Sequence, residues 1–266
     1  MYDLHIHSQY SMDSTEDMEK TVIKAIEKNV KAMCFTDHVD YDSSSDGIDF
    51  VFRVSDYFRD INKVKYKYKK DIEILAGVEI GIQPHLYDRY NSFLDNNMFD
   101  FVLMSIHSVE KQDIYLDSFT KDRDPEEAIL EYYNDMLTCV REYSNFDILG
   151  HIDYIDRYFA SKEDIPGFDV YKDIVEEILR IVIEKGKGIE LNTSGFRKKL
   201  GYFHPKPAIL EMYRELGGDI ITIGSDAHTA DAVASEYKAA EKMLKDMGFK
   251  YIYLFKERKK FPINIS

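Results

Sequence analysis

The chain has 266 residues, 44% of them hydrophobic, enough for one large domain spanning 1–266 with a sizeable core. Its 49 acidic against 35 basic side chains give a formal net charge of −14. That balance argues against a surface built for a phosphate backbone, but it leaves room for a small anion held by cations in a pocket.

The first element is a strand, Asp3-Leu4-His5-Ile6-His7. Alternation along it puts Asp3, His5 and His7 on one face, with Asp3 placed to accept the spare N–H of an imidazole. Two imidazoles so spaced on a rigid strand reach one metal ion. Ser14 and Asp17 suggest a capping box opening a helix to about 29, carried by Met18, Val22, Ile23 and Ile26. Residues 31–36 read as a buried strand followed at once by Asp37-His38, and 39–48 as a polar loop broken at 43–47. An amphipathic helix with a solvated, lysine-rich face spans 50–70. A third strand, 72–80, carries Glu79 near its end, and a helix runs from 83 to 97. The strand 99–105 ends at His107. Asp124-Pro125-Glu126 opens a helix to about 144. The strand 146–150 ends at His151 and is followed by a helix over 169–185. A sixth strand, 188–192, a helix over 205–216 and a seventh strand, 219–224, lead to Ser225-Asp226-Ala227-His228. A helix over 232–247, a short strand at 251–255 and a basic, polar tail complete the chain.

Strand, polar loop and helix recur seven times, which predicts parallel βαβ units and favours a closed α/β barrel. The apolar strand runs fit strands covered on both faces. In such a barrel the strand ends form one rim, where catalytic groups collect. That rim would carry His5, His7, His38, Glu79, His107, His151, Asp226 and His228, six of the chain's eight histidines among them. Nitrogen and carboxylate donors without cysteine suit Zn²⁺, Mn²⁺ or Fe²⁺. The donors exceed the four or so of a closed structural site, so two or three ions are expected, with Glu79 a natural bridge. Clustered ions of this kind serve hydrolysis at phosphorus. Cys34, in a strand-like run, and Cys139, in a helix-like one, read as reduced residues rather than a disulfide. With no apolar run of membrane-spanning length and no leader visible, a soluble cytoplasmic protein is expected.

Six pieces resemble the PHP superfamily, named for polymerase and histidinol phosphatase. They are Asp3-Leu4-His5-Ile6-His7-Ser8 with Ser11 and Asp13, Thr36-Asp37-His38, Gly77-Val78-Glu79, Ser105-Ile106-His107, Gly150-His151-Ile152-Asp153 and Gly224-Ser225-Asp226-Ala227-His228. The chain length and the loop Glu190-Leu191-Asn192-Thr193-Ser194-Gly195 are most similar to the monofunctional histidinol-phosphatases. The resemblance implies a distorted (β/α)7 barrel holding three divalent ions. One would take His5, His7, Glu79 and Asp226; the second would share Glu79 and take His107 and His151; the third would take Asp13, His38 and His228. Asp13 stands where many relatives have histidine. The implied reaction is hydrolysis of L-histidinol phosphate to L-histidinol and phosphate, in histidine biosynthesis, through a hydroxide bridging two ions. Asp226 or a neighbouring histidine such as His228 would move the proton, and Arg197 and Arg157 would hold phosphoryl oxygens. Asp153 and Asp42 are candidates for the substrate's ammonium, His204 is more readily structural, and Lys198 and Lys199 read as solvated. Neither nucleic acid nor membrane is an expected partner. The alternatives are a PHP phosphoesterase acting on another small ester or on a nucleotide or oligonucleotide phosphodiester, and a non-catalytic metal-bound module.

Overall fold

The seven parallel strands are interspersed with helices in the computed structural model, which describes residues 1–116 and 118–265. In chain order come β1 (Tyr2–Ile6), α1 (Met18–Glu27), β2 (Ala32–Phe35), β3 (His38–Ser43), β4 (Ile48–Val51) and α2 (Val54–Tyr68). Next are β5 (Glu73–Gly81), α3 (Tyr87–Asp95), β6 (Phe101–Ser105), the short β7 (Ser108–Val109) and β8 (Gln112–Asp113), and α4 (Pro125–Glu142). Then follow β9 (Ile148–Leu149), α5 (Lys172–Glu184), β10 (Gly188–Asn192), α6 (Ser194–Arg197), α7 (Pro207–Glu215) and β11 (Ile221–Gly224). The last elements are α8 (Tyr237–Asp246), β12 (Tyr251–Lys256) and β13 (Lys259–Asn264).

Strands β1, β2, β5, β6, β9, β10 and β11 neighbour one another in that order and run parallel. First and last meet at a seam. Ile6 bridges Ala227 in parallel, Asp226 N–H donates to His5 O at 2.8 Å and His7 N–H donates to Ala227 O at 2.8 Å. The seven-stranded, distorted barrel expected from the alternation of elements is thereby closed. One face of the strands, with Ile6, Phe35, Val78, Val102 and Leu191, packs against helix residues such as Val22, Ile61, Tyr132 and Ile178. Alternate residues form a second cluster of Leu4, Ala32, Cys34, Leu75, Phe101, Leu103, Ile148 and Ile220. Burial on both faces explains the unbroken apolar runs. Leu254 and Phe255 of β12 join this second cluster. Arg258, in the turn to β13, bonds Asp100 O through its N–H and Asp147 through its side chain. Both partners directly precede barrel strands, so the β12–β13 hairpin covers the end where strands begin. Among the described residues no helix is long and apolar enough to cross a membrane.

Three local expectations change. The region read as a loop is the β3–β4 hairpin, and β3 lies parallel to β5 with His38 opposite Glu79. Its polar residues resemble a loop because Asp40 and Ser43 face a cavity. Helix α1 starts at Met18 with Asp17 as its cap, accepting from Lys20 N–H, while Ser14 Oγ donates to His228 O at 3.0 Å. The tail read as merely polar is strand β13, paired along its length with β12.

Candidate metal centre

The C-terminal strand ends converge around Glu79. In β1 the register slips against β2, since Asp3 lies opposite Met33 but Ile6 opposite Phe35. Three steps on one strand oppose two on the other, a bulge that breaks alternation. Asp3 therefore does not support an imidazole as expected. Its carboxylate accepts Ser225 N–H at 2.8 Å and Ala234 N–H at 2.7 Å, bracing the turn that carries Asp226. The partner of His5 is instead Glu190, mid-strand in β10, with Nδ1 2.7 Å from Oε1. Glu190 Oε2 also accepts His151 N–H at 3.0 Å and Asn192 Nδ2–H at 3.1 Å. Position 224 must be glycine for this contact, because a Cβ there would lie 2.1 Å from Glu190 Oε1.

The hydrogen-bond network fixes which ring nitrogens are left to ligate. His5 Nδ1–H donates to Glu190. His7 Nδ1–H donates to Ser11 Oγ at 2.9 Å, since the Ser11 hydroxyl proton goes to Asp37 at 2.8 Å. That leaves Nε2 of each ring as the atom free to ligate, and the two face each other 2.9 Å apart. Glu79 Oε2 lies 3.1 and 3.4 Å from them, and Asp226 Oδ1 3.8 and 3.5 Å. Against the cost of burial, Glu190, Glu79 and Asp226 raise the His5 pKa well above its ordinary value, so a cation held by these four atoms would displace the proton His5 carries. Burial, with His228 and His38 alongside, holds the His7 pKa well below its ordinary value, which keeps the ring neutral and able to ligate.

Glu79 is the hub. Its Oε1 accepts from Ser105 Oγ at 2.6 Å and lies 3.3 Å from His107 Nε2 and 3.0 Å from His151 Nε2. Its Oε2 also lies 3.2 Å from His38 Nδ1. Burial alone would raise this carboxyl, yet His5, His38 and His107 hold it well below the usual range. His107 Nδ1 is oriented by Asp40 Oδ1 at 3.0 Å. The His7 ring stacks between His38 at 4.3 Å and His228 at 4.1 Å. Asp13 closes this side, 2.8 Å from His228 Nε2 and 3.7 Å from His38 Nε2. Among the described residues four donor groups are compact enough to hold an ion: His7/His38/His228, His5/His151/Asp226, His5/His7/Glu79 and His38/Glu79/His107. All nine expected ligands are thus brought together.

Asp226 sits in a left-handed turn at φ +53°. Its Oδ2 accepts from Arg157 Nη2 at 3.0 Å and from Ser194 Oγ at 3.1 Å. A cavity of about 390 Å³ opens above, lined by Arg157, Lys198, Asp40, Asp113, Tyr154 and Tyr158 and by Asp13, His38, His107, His151, Asp226 and His228, with Met12, Tyr115 and Leu116 towards solvent. The other expected site residues lie elsewhere. Arg197 donates to the carbonyls of Ser225 and Asp226 and to Ser235 Oγ, so its guanidinium clamps the turn rather than lining the cavity. Lys198 is exposed as expected and also stands at the cavity wall as its second cation. Asp153 is buried against His204, and Asp42 pairs with His85 at 2.6 Å, so neither is a wall carboxylate; Asp40 and Asp113 are. Sequence reasoning missed Glu190, Asp40 and the Ser11–Asp37 support.

Together these features define an α/β-barrel protein with a nitrogen–oxygen donor cluster suited to metal ions on its C-terminal rim. The family model of the PHP domain matches residues 3–194. A probable histidinol-phosphatase of Clostridium acetobutylicum is 33% identical over 98% of this chain and 99% of its own length. The histidinol-phosphatase of Lactococcus lactis is 33% identical over 95% of this chain and 93% of its own length. The crystal structure of a histidinol phosphate phosphatase from L. lactis, complexed with zinc, L-histidinol and phosphate, matches with a TM-score of 0.89, 31% identity and 98% coverage of both chains. The chain belongs to the PHP domain family and, within it, to the histidinol-phosphatases.

Proposed function

We propose that this protein hydrolyses L-histidinol phosphate to L-histidinol and phosphate with divalent metal ions. The observation that carries the reading is the pair of imidazole nitrogens, His5 and His7 Nε2, 2.9 Å apart beside Glu79 and Asp226 under a cavity walled by Arg157. Zinc, L-histidinol and phosphate bound to the L. lactis relative supply the ligand identities. His5, His7, Glu79 and Asp226 would hold one ion; Glu79, His107 and His151 a second; Asp13, His38 and His228 a third. Such ions, when bound, supply an acidified water and positive charge for the phosphoryl oxygens.

The chain's own groups do the rest. Glu190, Asp40 and Ser11 fix ring orientation, and oriented ligands bind more tightly. Arg157 offers its Nη1–H donors and its charge to phosphate oxygens. Asp226 and His228 border the cavity and are positioned to pass a proton to the leaving oxygen. Asp40 and Asp113 give the wall a charge opposite to the substrate's ammonium. The test is phosphate release from L-histidinol phosphate by metal-stripped protein, before and after adding Zn²⁺, Mn²⁺ or Fe²⁺ separately, beside other phosphomonoesters and a dinucleotide. The expected result is no turnover when stripped and kcat/KM in the range of about 10⁴ to 10⁸ M⁻¹s⁻¹ when restored. Full activity without metal, or preference for another ester, would overturn the assignment.

A further inference from the structure

The Gly150-His151-Ile152-Asp153 motif supplies a metal-centre donor through His151, but Asp153 points elsewhere. It is fully buried, as is His204, and its Oδ1 lies 2.6 Å from His204 Nδ1. Its Oδ2 accepts Lys206 N–H at 2.7 Å, so both oxygens are engaged. The His204 backbone is pinned to the end of β10, donating to Asn192 O at 2.9 Å and accepting Asn192 N–H at 2.6 Å. With Nδ1 donating to Asp153, Nε2 carries the lone pair, and it accepts Arg157 Nε–H at 3.0 Å. Arg157 Nη2 meets Asp226 and Ser194. Nη1 has no hydrogen-bond partner among the described residues, and Arg157 lines the cavity. A planar guanidinium held along two of its edges has its third edge aimed.

We infer that His204, locked by Asp153 as the Nδ1–H tautomer, is a positioning residue that turns the free edge of Arg157 towards the phosphoryl group of the substrate. This rests on the reading of Arg157 as the phosphate-binding cation. The carboxylate–imidazole unit that orients metal ligands elsewhere in this centre here orients an arginine. Loss of the acceptor lets the guanidinium swing, so its contact with phosphate is no longer prepaid in orientation.

Two substitutions separate this role from a merely structural one. In His204→Asn the amide replaces Nδ1–H, keeping Asp153 bonded but removing the acceptor for Arg157. In His204→Gln the amide oxygen replaces Nε2, keeping the acceptor but leaving Asp153 short of a donor. The readouts are inhibition by inorganic phosphate, KM, kcat and zinc content of the zinc-loaded enzyme. For His204→Asn we expect the phosphate inhibition constant and KM to rise about tenfold, the worth of one modest charge-assisted hydrogen bond, with zinc content unchanged. For His204→Gln they stay within about threefold, since the bond is retained. A structural role predicts the reverse order. Should His204→Gln fail to fold, the rise in His204→Asn still decides. Arg157→Ala is the control. If it leaves phosphate inhibition unchanged, the reading of Arg157 falls and the inference with it. If Arg157→Ala weakens phosphate but His204→Asn does not, or if the two effects add in the double variant, only the positioning role is overturned.

Discussion

Replacing Glu190 with glutamine tests whether the centre depends on support that does not itself touch an ion. Three donors meet this one carboxylate: His5 Nδ1–H at 2.7 Å, His151 N–H at 3.0 Å and Asn192 Nδ2–H at 3.1 Å. Glutamine keeps the shape but turns one acceptor end into a donor, so an N–H must face an N–H. If the amide oxygen serves His5, the NH₂ opposes His151 and Asn192; if reversed, His5 loses its acceptor. Either arrangement leaves a buried donor unmade, at about 1–3 kcal/mol of stability. Removing the carboxylate behind a ligating imidazole costs about 10- to 100-fold in metal affinity, or about 1.4–2.8 kcal/mol at 1.4 kcal/mol per decade. Bound zinc measured against buffered free zinc gives the affinity, initial rates at saturating zinc give the catalytic effect, and a thermal melt shows that the variant is folded. Wild-type zinc affinity and kcat/KM in folded Glu190→Gln would refute the reasoning.

Glu79→Gln removes the shared carboxylate of five imidazole contacts; several kcal/mol of transition-state charge stabilisation corresponds to roughly a thousandfold loss in kcat/KM, and activity within tenfold of wild type would sink the bridging role. Leu254→Ala empties part of the barrel floor and is expected to cost about 2–5 kcal/mol, read by urea unfolding with zinc binding retained. Asp135 is pushed up to about 7 by burial, with Glu110 and Glu131 adding to it. Its folded state thus holds the proton more tightly than the unfolded chain, so stability present at low pH is lost as pH rises through about 7. Asp135→Asn should raise Tm at pH 8 more than at pH 5, and an equal rise at both would show that the carboxyl titrates normally.

The rim was legible because proposed ligands follow apolar strands: His107 after 99–105, His151 after 146–150, Asp226 after 219–224. Period and position together located the centre and the barrel. What lay beyond reach depended on geometry that spacing does not encode. A single bulge in β1 turned Asp3 from an imidazole's partner into a brace for a turn. Glu190 gave one unused signal, a carboxylate in the middle of a strand otherwise buried and apolar. Asp40 was hidden because a strand whose polar side chains face a cavity alternates like a loop. Arg197 and Lys198 are adjacent in sequence, and side-chain direction alone decided which one reached the wall.

The seam between β1 and β11 joins the beginning of the chain to its far end. His5 and His7 leave the ribosome more than two hundred residues before Asp226 and His228. Over that stretch of synthesis a nascent chain carries a two-histidine half-site, with neither the acid that would complete it nor the β12–β13 floor beneath it. Contacts so distant along the chain form late and slowly. Ion capture must then follow barrel closure rather than guide it, and zinc supplied during translation should speed neither the appearance nor the yield of folded protein.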